Sequence, residues 1–319
     1  MLLIVVACII PLVIKSKYYQ HLFTLTYIWI ILTASINVIQ GYGGMVSLCQ
    51  ISFFAIGAYT SAILYTKLNF PLWLTMPAAG ILTLLIALLI GFPTLKTRGH
   101  YFAIATLAFA SLMETLMANW WSLTGGTLGF AVPKLSGSFL GMPLSGAKGY
   151  YYFVLLFTAL AIFFVKRLFN SRTGRAIVTI RENEQLGSSV GINIAATKRL
   201  AFNISAVMAS VAGVLYIHYM NYITPTPFEG NQGMKIILAI MAGGCGTLLG
   251  PVVGAFVIIF IPEFLNFAEQ WKTLLFGVLL IIVVFFVPEG FVKLLQEKLG
   301  KIQICRVWHK MFSEKSNRC

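Results

Sequence analysis

Apolar residues in this chain come in long unbroken runs rather than in alternation with polar ones. PLWLTMPAAGILTLLIALLIGF (Pro71 to Phe92) and TLLFGVLLIIVVFFV (Thr273 to Val287) carry no period of two, which sets aside short half-buried strands and a membrane barrel. Several runs approach or reach the roughly 20 residues that a helix rising about 1.5 Å per residue needs to cross about 30 Å of hydrocarbon. The pattern predicts an all-α polytopic membrane protein of about ten transmembrane helices. Their ranges are residues 2–14, 22–40, 42–66, 71–92, 100–118, 150–166, 200–221, 234–248, 251–266 and 272–289. The first is short for a full crossing. The stretch from Met234 to Asn266 is interrupted by Gly243, Gly244, Gly246, Gly250 and Pro251, so it reads either as two short helices or as a re-entrant pair.

Charge orients these passes. Basic residues concentrate at Lys166, Arg167, Arg172, Arg175, Arg181, Lys198 and Arg199, and again from Lys293 to Arg318, so both stretches are expected in the cytoplasm. That assignment requires an even number of passes from Met234 to Asn266 and puts both termini inside. It divides the chain into an N-terminal transmembrane half (1–166), a cytoplasmic loop (167–199), a C-terminal transmembrane half (200–289) and a basic cytoplasmic tail (290–319). The loop from Asn119 to Gly149 is expected outside. The N-terminal apolar run has no basic region before it and no small-residue cleavage site after it, and it reads as a retained helix.

Composition agrees: 59% of the 319 residues are apolar, 10% are charged and the mean hydropathy is +0.87. The formal charge of +14 fits cytoplasmic loops attracted to anionic lipid, and no basic domain stands apart to bind nucleic acid. The five cysteines (Cys8, Cys49, Cys245, Cys305, Cys319) are widely spaced and form no CxxC pair.

Catalytic equipment is scarce. All nine acidic residues are glutamate, and the four histidines (His21, His100, His218, His309) have no metal-ligand spacing and read as interfacial residues. No GxxxxGK[ST] sequence occurs, so uphill movement of a solute would draw on an ion gradient or on a separate ATPase. Glu114 is the one candidate for an ionisable group toward the bilayer midplane, and it lies near the outer end of its pass, where a carboxylate reaching the interface is the simpler reading. Neutral polar groups, Ser47, Gln50, Ser52 and Thr60 together with Asn37, sit among the helices instead. They suit passage of a neutral or zwitterionic solute, and each equally suits an interhelical hydrogen bond. Small residues repeat every four at Ala201, Ser205, Ala209 and Gly213, matched by Gly57 with Ser61 and Ala58 with Ala62, as close helix packing requires.

The polar segment GRAIVTIRENEQLGSSVGI (Gly174 to Ile192) is longer than a bundle connection needs. It predicts a short amphipathic helix capped by Thr173, with Ile177, Val178 and Ile180 on one side. Arg175, Arg181, Glu182, Asn183 and Glu184 are expected to be wet, with Gly187 and Gly191 ending the helix. Such a helix can rest on the bundle, dock in a partner's groove or lie on lipid.

This segment resembles the cytoplasmic loop of branched-chain amino acid ABC transporter permeases of the LivM type. Four further blocks agree in order: GYGGMVSLCQISFFAIGAYTSAIL (Gly41 to Leu64), LKTRGHYFAIATLAFA (Leu95 to Ala110), LTGGTLGF (Leu123 to Phe130) and MAGGCGTLLGPVVGA (Met241 to Ala255). The sequence departs from the family pattern at Ser111, where many members carry glutamate, and at Cys49, where glycine is usual. The resemblance implies a pseudosymmetric ABC importer permease bundle in the cytoplasmic (inner) membrane. It also implies a second permease subunit of the LivH type, two ABC ATPase subunits and an extracytoplasmic amino acid-binding protein. On that reading this chain binds no cofactor and is no enzyme, since ATP is used by the partner subunits. Gly174, Arg175, Arg181, Glu182, Asn183, Glu184 and Gly191 would form the ATPase-coupling loop, and Thr124, Gly125 and Gly126 would face the binding protein. Ser47, Gln50, Ser52 and Thr60 would lie along the translocation path. Leucine, isoleucine or valine would be the cargo; a urea or short-amide permease shares these blocks, and a stand-alone carrier is the rival from another class.

Overall fold

The computed structural model describes residues 16–264 apart from 98, 136, 140 and 141, together with Pro11, Gly277, Gly290 and Val292. The expected passes at 2–14 and 272–289, and the basic tail, lie outside the described residues.

Helix α1 (Lys17–Ile36) runs on without a break into a π-helical turn, Asn37–Tyr42. Then follow α2 (Gln50–Lys67), α3 (Leu72–Thr94), α4 (His100–Asn119) and a single helical turn, α5 (Trp121–Thr124). Three two-residue strands come next, β1 (Phe130–Ala131), β2 (Ser138–Phe139) and β3 (Met142–Pro143), before α6 (Ala147–Phe169). Two short helices, α7 (Arg172–Glu182) and α8 (Glu184–Ser189), lead into the 27-residue α9 (Ile194–Met220). Strand β4 (Tyr222–Ile223) and the helices α10 (Gly230–Gly243) and α11 (Gly250–Phe264) complete the described chain.

Among the described residues, five helical stretches are long and apolar enough to cross a membrane: Lys17–Tyr42, Leu72–Thr94, His100–Asn119, Ala147–Phe169 and Ile194–Met220. The expected pass at 42–66 is corrected, because the helix starts only at Gln50. Residues 43–49 are irregular yet carry buried Ser47 and Cys49, and the Leu48 amide donates to Thr106 Oγ1 on α4 at 3.2 Å. Gly44 in the left-handed region ends the π turn there. Of the pair expected from Met234 to Asn266, α10 is 14 residues, about 21 Å, and it folds back onto α11 as an antiparallel hairpin. A Cβ on Gly254 would stand 2.2 Å from the Ala239 carbonyl, so the two backbones touch.

The α2–α9 seam is the most extensive helix contact, and α9 also packs on α3 and α1. Small residues make this possible. Ala201, Ser205, Ala209 and Gly213 are all buried, and a Cβ on Gly213 would lie 1.9 Å from the Phe54 carbonyl of α2. From the other side, a Cβ on Gly57 would meet the Ser210 carbonyl at 2.3 Å. The two stripes legible in the sequence therefore face one another. Buried hydroxyls tie α6 to its neighbours: Tyr27 and Tyr151 share a hydrogen bond at 2.8 Å, and Tyr150 donates to the Leu215 carbonyl at 2.6 Å.

His218 departs from its interfacial reading. It is 2% exposed on α9, with Nε2 2.8 Å from Ser61 Oγ.

Glu114 has a role that its position alone did not disclose. Its carboxylate on α4 accepts the Gly230 amide at 3.1 Å, so one helix supplies the N-terminal acceptor of another, α10. Glu114→Ala is expected to lower stability by about 1–2 kcal/mol. Glu114→Gln, which keeps an acceptor, should recover much of it. Thermal unfolding of the detergent-solubilised protein checks both, and equal melting of Glu114→Ala and the unaltered chain would contradict the capping role.

Candidate functional site

The polar segment folds as two helices rather than one. Ser171, not Thr173, caps α7: its hydroxyl accepts the Gly174 amide at 3.2 Å. Asn183 breaks the expected single helix. Its backbone is extended, and its side-chain oxygen accepts the amides of Gln185 and Leu186 at 2.9 and 3.1 Å, capping α8. Gly187 therefore sits buried inside α8 instead of ending a helix, while Gly191, with φ +81°, does end it. Asn193 then caps α9 through the Ala196 amide at 3.0 Å.

The pair is held against the bundle. Ile177 and Ile180 are buried as the amphipathic pattern requires, and Val178 is half-buried. Gly174 is a close-approach position, since a Cβ there would stand 2.2 Å from the Leu168 carbonyl at the end of α6. Lys198, whose side chain is 11% exposed, pairs with Glu184 at 2.5 Å and fastens α8 to the first turns of α9. Arg175 donates to the Asn170 carbonyl at 3.1 Å.

Arg181 keeps 38% of its side chain exposed, as expected, while its guanidinium reaches the bundle. Its Nη1 donates to the Gly41 carbonyl in the π turn of α1 at 2.5 Å, and Nε lies 3.7 Å from Glu182. Glu182 is wet as expected, with 72% of its side chain exposed. The outer side of α8 instead presents apolar groups that the charge pattern did not single out, Leu186 (63% exposed) and Val190 (72%). A cavity of about 330 Å3 with mixed polar and apolar walls opens beside the pair, lined by Met45, Val46, Thr97, Arg181, Glu184 and Lys198 among others.

A family model described as the branched-chain amino acid transport system / permease component matches residues 18–284. The chain belongs to this family. Among its relatives, the permease is 29% identical over 298 residues to the high-affinity branched-chain amino acid transport system permease protein LivM of Escherichia coli (strain K12), covering 86% of this chain and 70% of the relative. The corresponding protein LivH of Salmonella typhimurium is 28% identical, covering 80% of this chain and 87% of the relative. The autoinducer 2 import system permease protein LsrC of Escherichia coli O9:H4 (strain HS) is 26% identical, over 66% of this chain and 64% of that protein. No solved structure matches.

In this permease Gln50 and Ser52 lie in the helix core, with Ser47 just before it. The Gln50 amide donates to Ser205 on α9 at 2.9 Å, and its Oε1 is buried without a hydrogen-bond partner. Ser47 Oγ is 3.2 Å from Cys49 Sγ, and both residues are buried. Thr60, half-buried, donates to the Ile56 carbonyl at 2.6 Å. The cavity beside the α7–α8 pair is lined by none of these four.

The loop from Asn119 to Gly149 is tied down. Strand β1 pairs antiparallel with β4 at the end of α9, and β2 pairs with β3. Thr124 is buried; its hydroxyl donates to the Met117 and Trp120 carbonyls at 2.8 and 2.7 Å and accepts the Gly126 amide at 3.2 Å. Gly125 and Gly126 have φ of +76° and +61°, which fits the turn to glycine. Thr124→Val, which deletes these bonds at nearly constant volume, is expected to cost about 1–3 kcal/mol. A lowered unfolding temperature checks it, and an unchanged one would show that the turn holds without the hydroxyl.

Proposed function

We propose that this chain is the membrane-spanning permease subunit of an ATP-binding cassette importer for branched-chain amino acids in the cytoplasmic membrane. It works beside a second permease of the LivH type, two ATPases on the cytoplasmic side and an extracytoplasmic amino acid-binding protein. It binds no cofactor of its own and catalyses no reaction; ATP is consumed by the ATPases. About ten helices in two pseudosymmetric halves, residues 1–166 and 200–289, carry the solute, and residues 167–199 are the coupling loop between them.

The observation that carries this reading is the family match over most of the chain, joined to a doubly capped helix pair at Arg172–Ser189. Arg175, Glu182 and Asn183 with the apolar groups Leu186 and Val190 form the face offered to the ATPase. Gly174, Glu184 and Gly191 shape that face from within the fold. Thr124, Gly125 and Gly126 shape the outer platform on which the binding protein lands, and Ser47, Gln50, Ser52 and Thr60 mark the polar seam along which the solute passes. The similarity to LivM and LivH relatives at comparable identity supports a pair of related permeases.

The test is uptake of labelled leucine by vesicles holding the chain with a second permease, the ATPases and the binding protein. Accumulation against a gradient that requires ATP, and that unlabelled isoleucine or valine suppresses, is the expected result. Suppression by urea but not by valine would transfer the reading to a short-amide permease. Accumulation by the chain alone, without any ATPase, would overturn the importer reading.

A further inference from the structure

Three segments far apart in sequence meet at one point beside Arg181. The first is the π turn of α1. Asn37, fully buried there, accepts the Gly246 amide on its side-chain oxygen at 2.9 Å and donates its side-chain NH2 to the Thr247 carbonyl at 2.8 Å. The second is the elbow between α10 and α11, to which Gly246 and Thr247 belong. The third is the C-terminal turn of α7, whose Arg181 reaches the Gly41 carbonyl.

No slack exists at the junction. A Cβ on Gly41 would lie 1.9 Å from Asn37 Oδ1 and 2.6 Å from the Gly246 amide nitrogen. A Cβ on Gly246, where φ is +77°, would meet Arg181 Nη1 at 2.9 Å, and one on Gly44 would meet the Arg181 stem at 2.8 Å. The elbow is also stiff in itself: Thr247 Oγ1 donates to the Gly244 carbonyl at 2.8 Å and accepts the Gly250 amide at 3.0 Å. A displacement of α7 therefore reaches α10 and α11 through hydrogen bonds and contact rather than through a compliant loop.

We infer that Arg181 and Asn37 are positioning residues for transport: they form one link that moves the α10–α11 elbow with the cytoplasmic helix pair. The link rests on the reading of residues 167–199 as the segment worked by the ATPase. Arg181, with 38% of its side chain exposed, differs from the rest of that segment in carrying its guanidinium to the bundle, and the Gly41 carbonyl it holds belongs to the same turn that grips the elbow. Moving the helix pair then shifts the membrane hairpin to which Glu114 anchors the far end of α10.

The experiment uses the complete transporter in proteoliposomes and measures solute taken up per ATP hydrolysed. Arg181→Met keeps the aliphatic stem over Gly44 and removes the donor; it is expected to lower that ratio about tenfold. Arg181→Lys, which can still donate to the Gly41 carbonyl, should restore the ratio to within about threefold of the unaltered chain. Spin labels at exposed Ser188 and at Leu249 should keep a constant separation between nucleotide-free and nucleotide-trapped states, and lose that constancy in Arg181→Met. An unchanged ratio together with a constant separation in Arg181→Met would overturn the link while leaving the ATPase-docking reading intact. Failure of the ATPases to co-purify with the unaltered chain would overturn both.

Discussion

Gly213→Leu is expected to prevent assembly of the helix bundle. A single Cβ at this position already stands 1.9 Å from the Phe54 carbonyl and 2.9 Å from the Ala58 amide nitrogen, and both obstacles are backbone. A flexible side chain could turn aside, but two helices in their most extensive contact cannot separate locally without opening the seam around Gln50, Ser205 and Gly57. Overpacking of this kind costs about 3 kcal/mol or more, and apolar lipid supplies no compensating force to press the helices together. The expected readout is loss of the monodisperse peak on size-exclusion chromatography in mild detergent. Gly80→Ala is the matched control. Its Cβ would sit 3.8 Å from Val207, ordinary contact, so the variant should melt at or slightly above the temperature of the unaltered protein. Equal behaviour of the two variants would refute the close-approach account.

Leu186→Asp is expected to abolish association with the ATPase while leaving the bundle intact. The side chain is 63% exposed on a short helix, so aspartate costs the isolated chain little. At a docking face the same change removes an apolar anchor worth about 1.5–3 kcal/mol and strands a charge in its pocket. Together these weaken binding by about a hundredfold or more. Co-purification of the ATPases with the tagged permease, and ATP-dependent uptake, should both fall below detection with unchanged thermal unfolding. Retained co-purification would mean that this face rests on lipid, the alternative that an amphipathic cytoplasmic segment leaves open.

The polar segment from Gly174 to Ile192 shows how far local pattern reaches. Its amphipathic side was legible, because Ile177 and Ile180 recur at a helical interval and are buried. Its division in two was not. Asn183 can continue a helix or cap the next one, and the extended backbone with two accepted amides was chosen where the second helix could bury Gly187 against Ile180 and Thr179 and pair Glu184 with Lys198. Charges read as wet were in part spoken for, since Arg181 turned toward a carbonyl 140 residues away.

Run length and four-residue repeats of small side chains determined by themselves that this is a helical membrane protein and that α2 and α9 would present smooth faces. These follow from local conditions: the thickness of hydrocarbon, the cost of unpaired backbone in lipid and the absence of a bulky Cβ. Only the tertiary structure decided which polar group answers which. Asn37 finds Gly246 and Thr247, Glu114 finds Gly230, and Arg181 finds Gly41 because separate segments are packed until those atoms stand at hydrogen-bonding distance. A polar side chain in a membrane helix needs a partner, yet nothing within its own helical period specifies the one it meets.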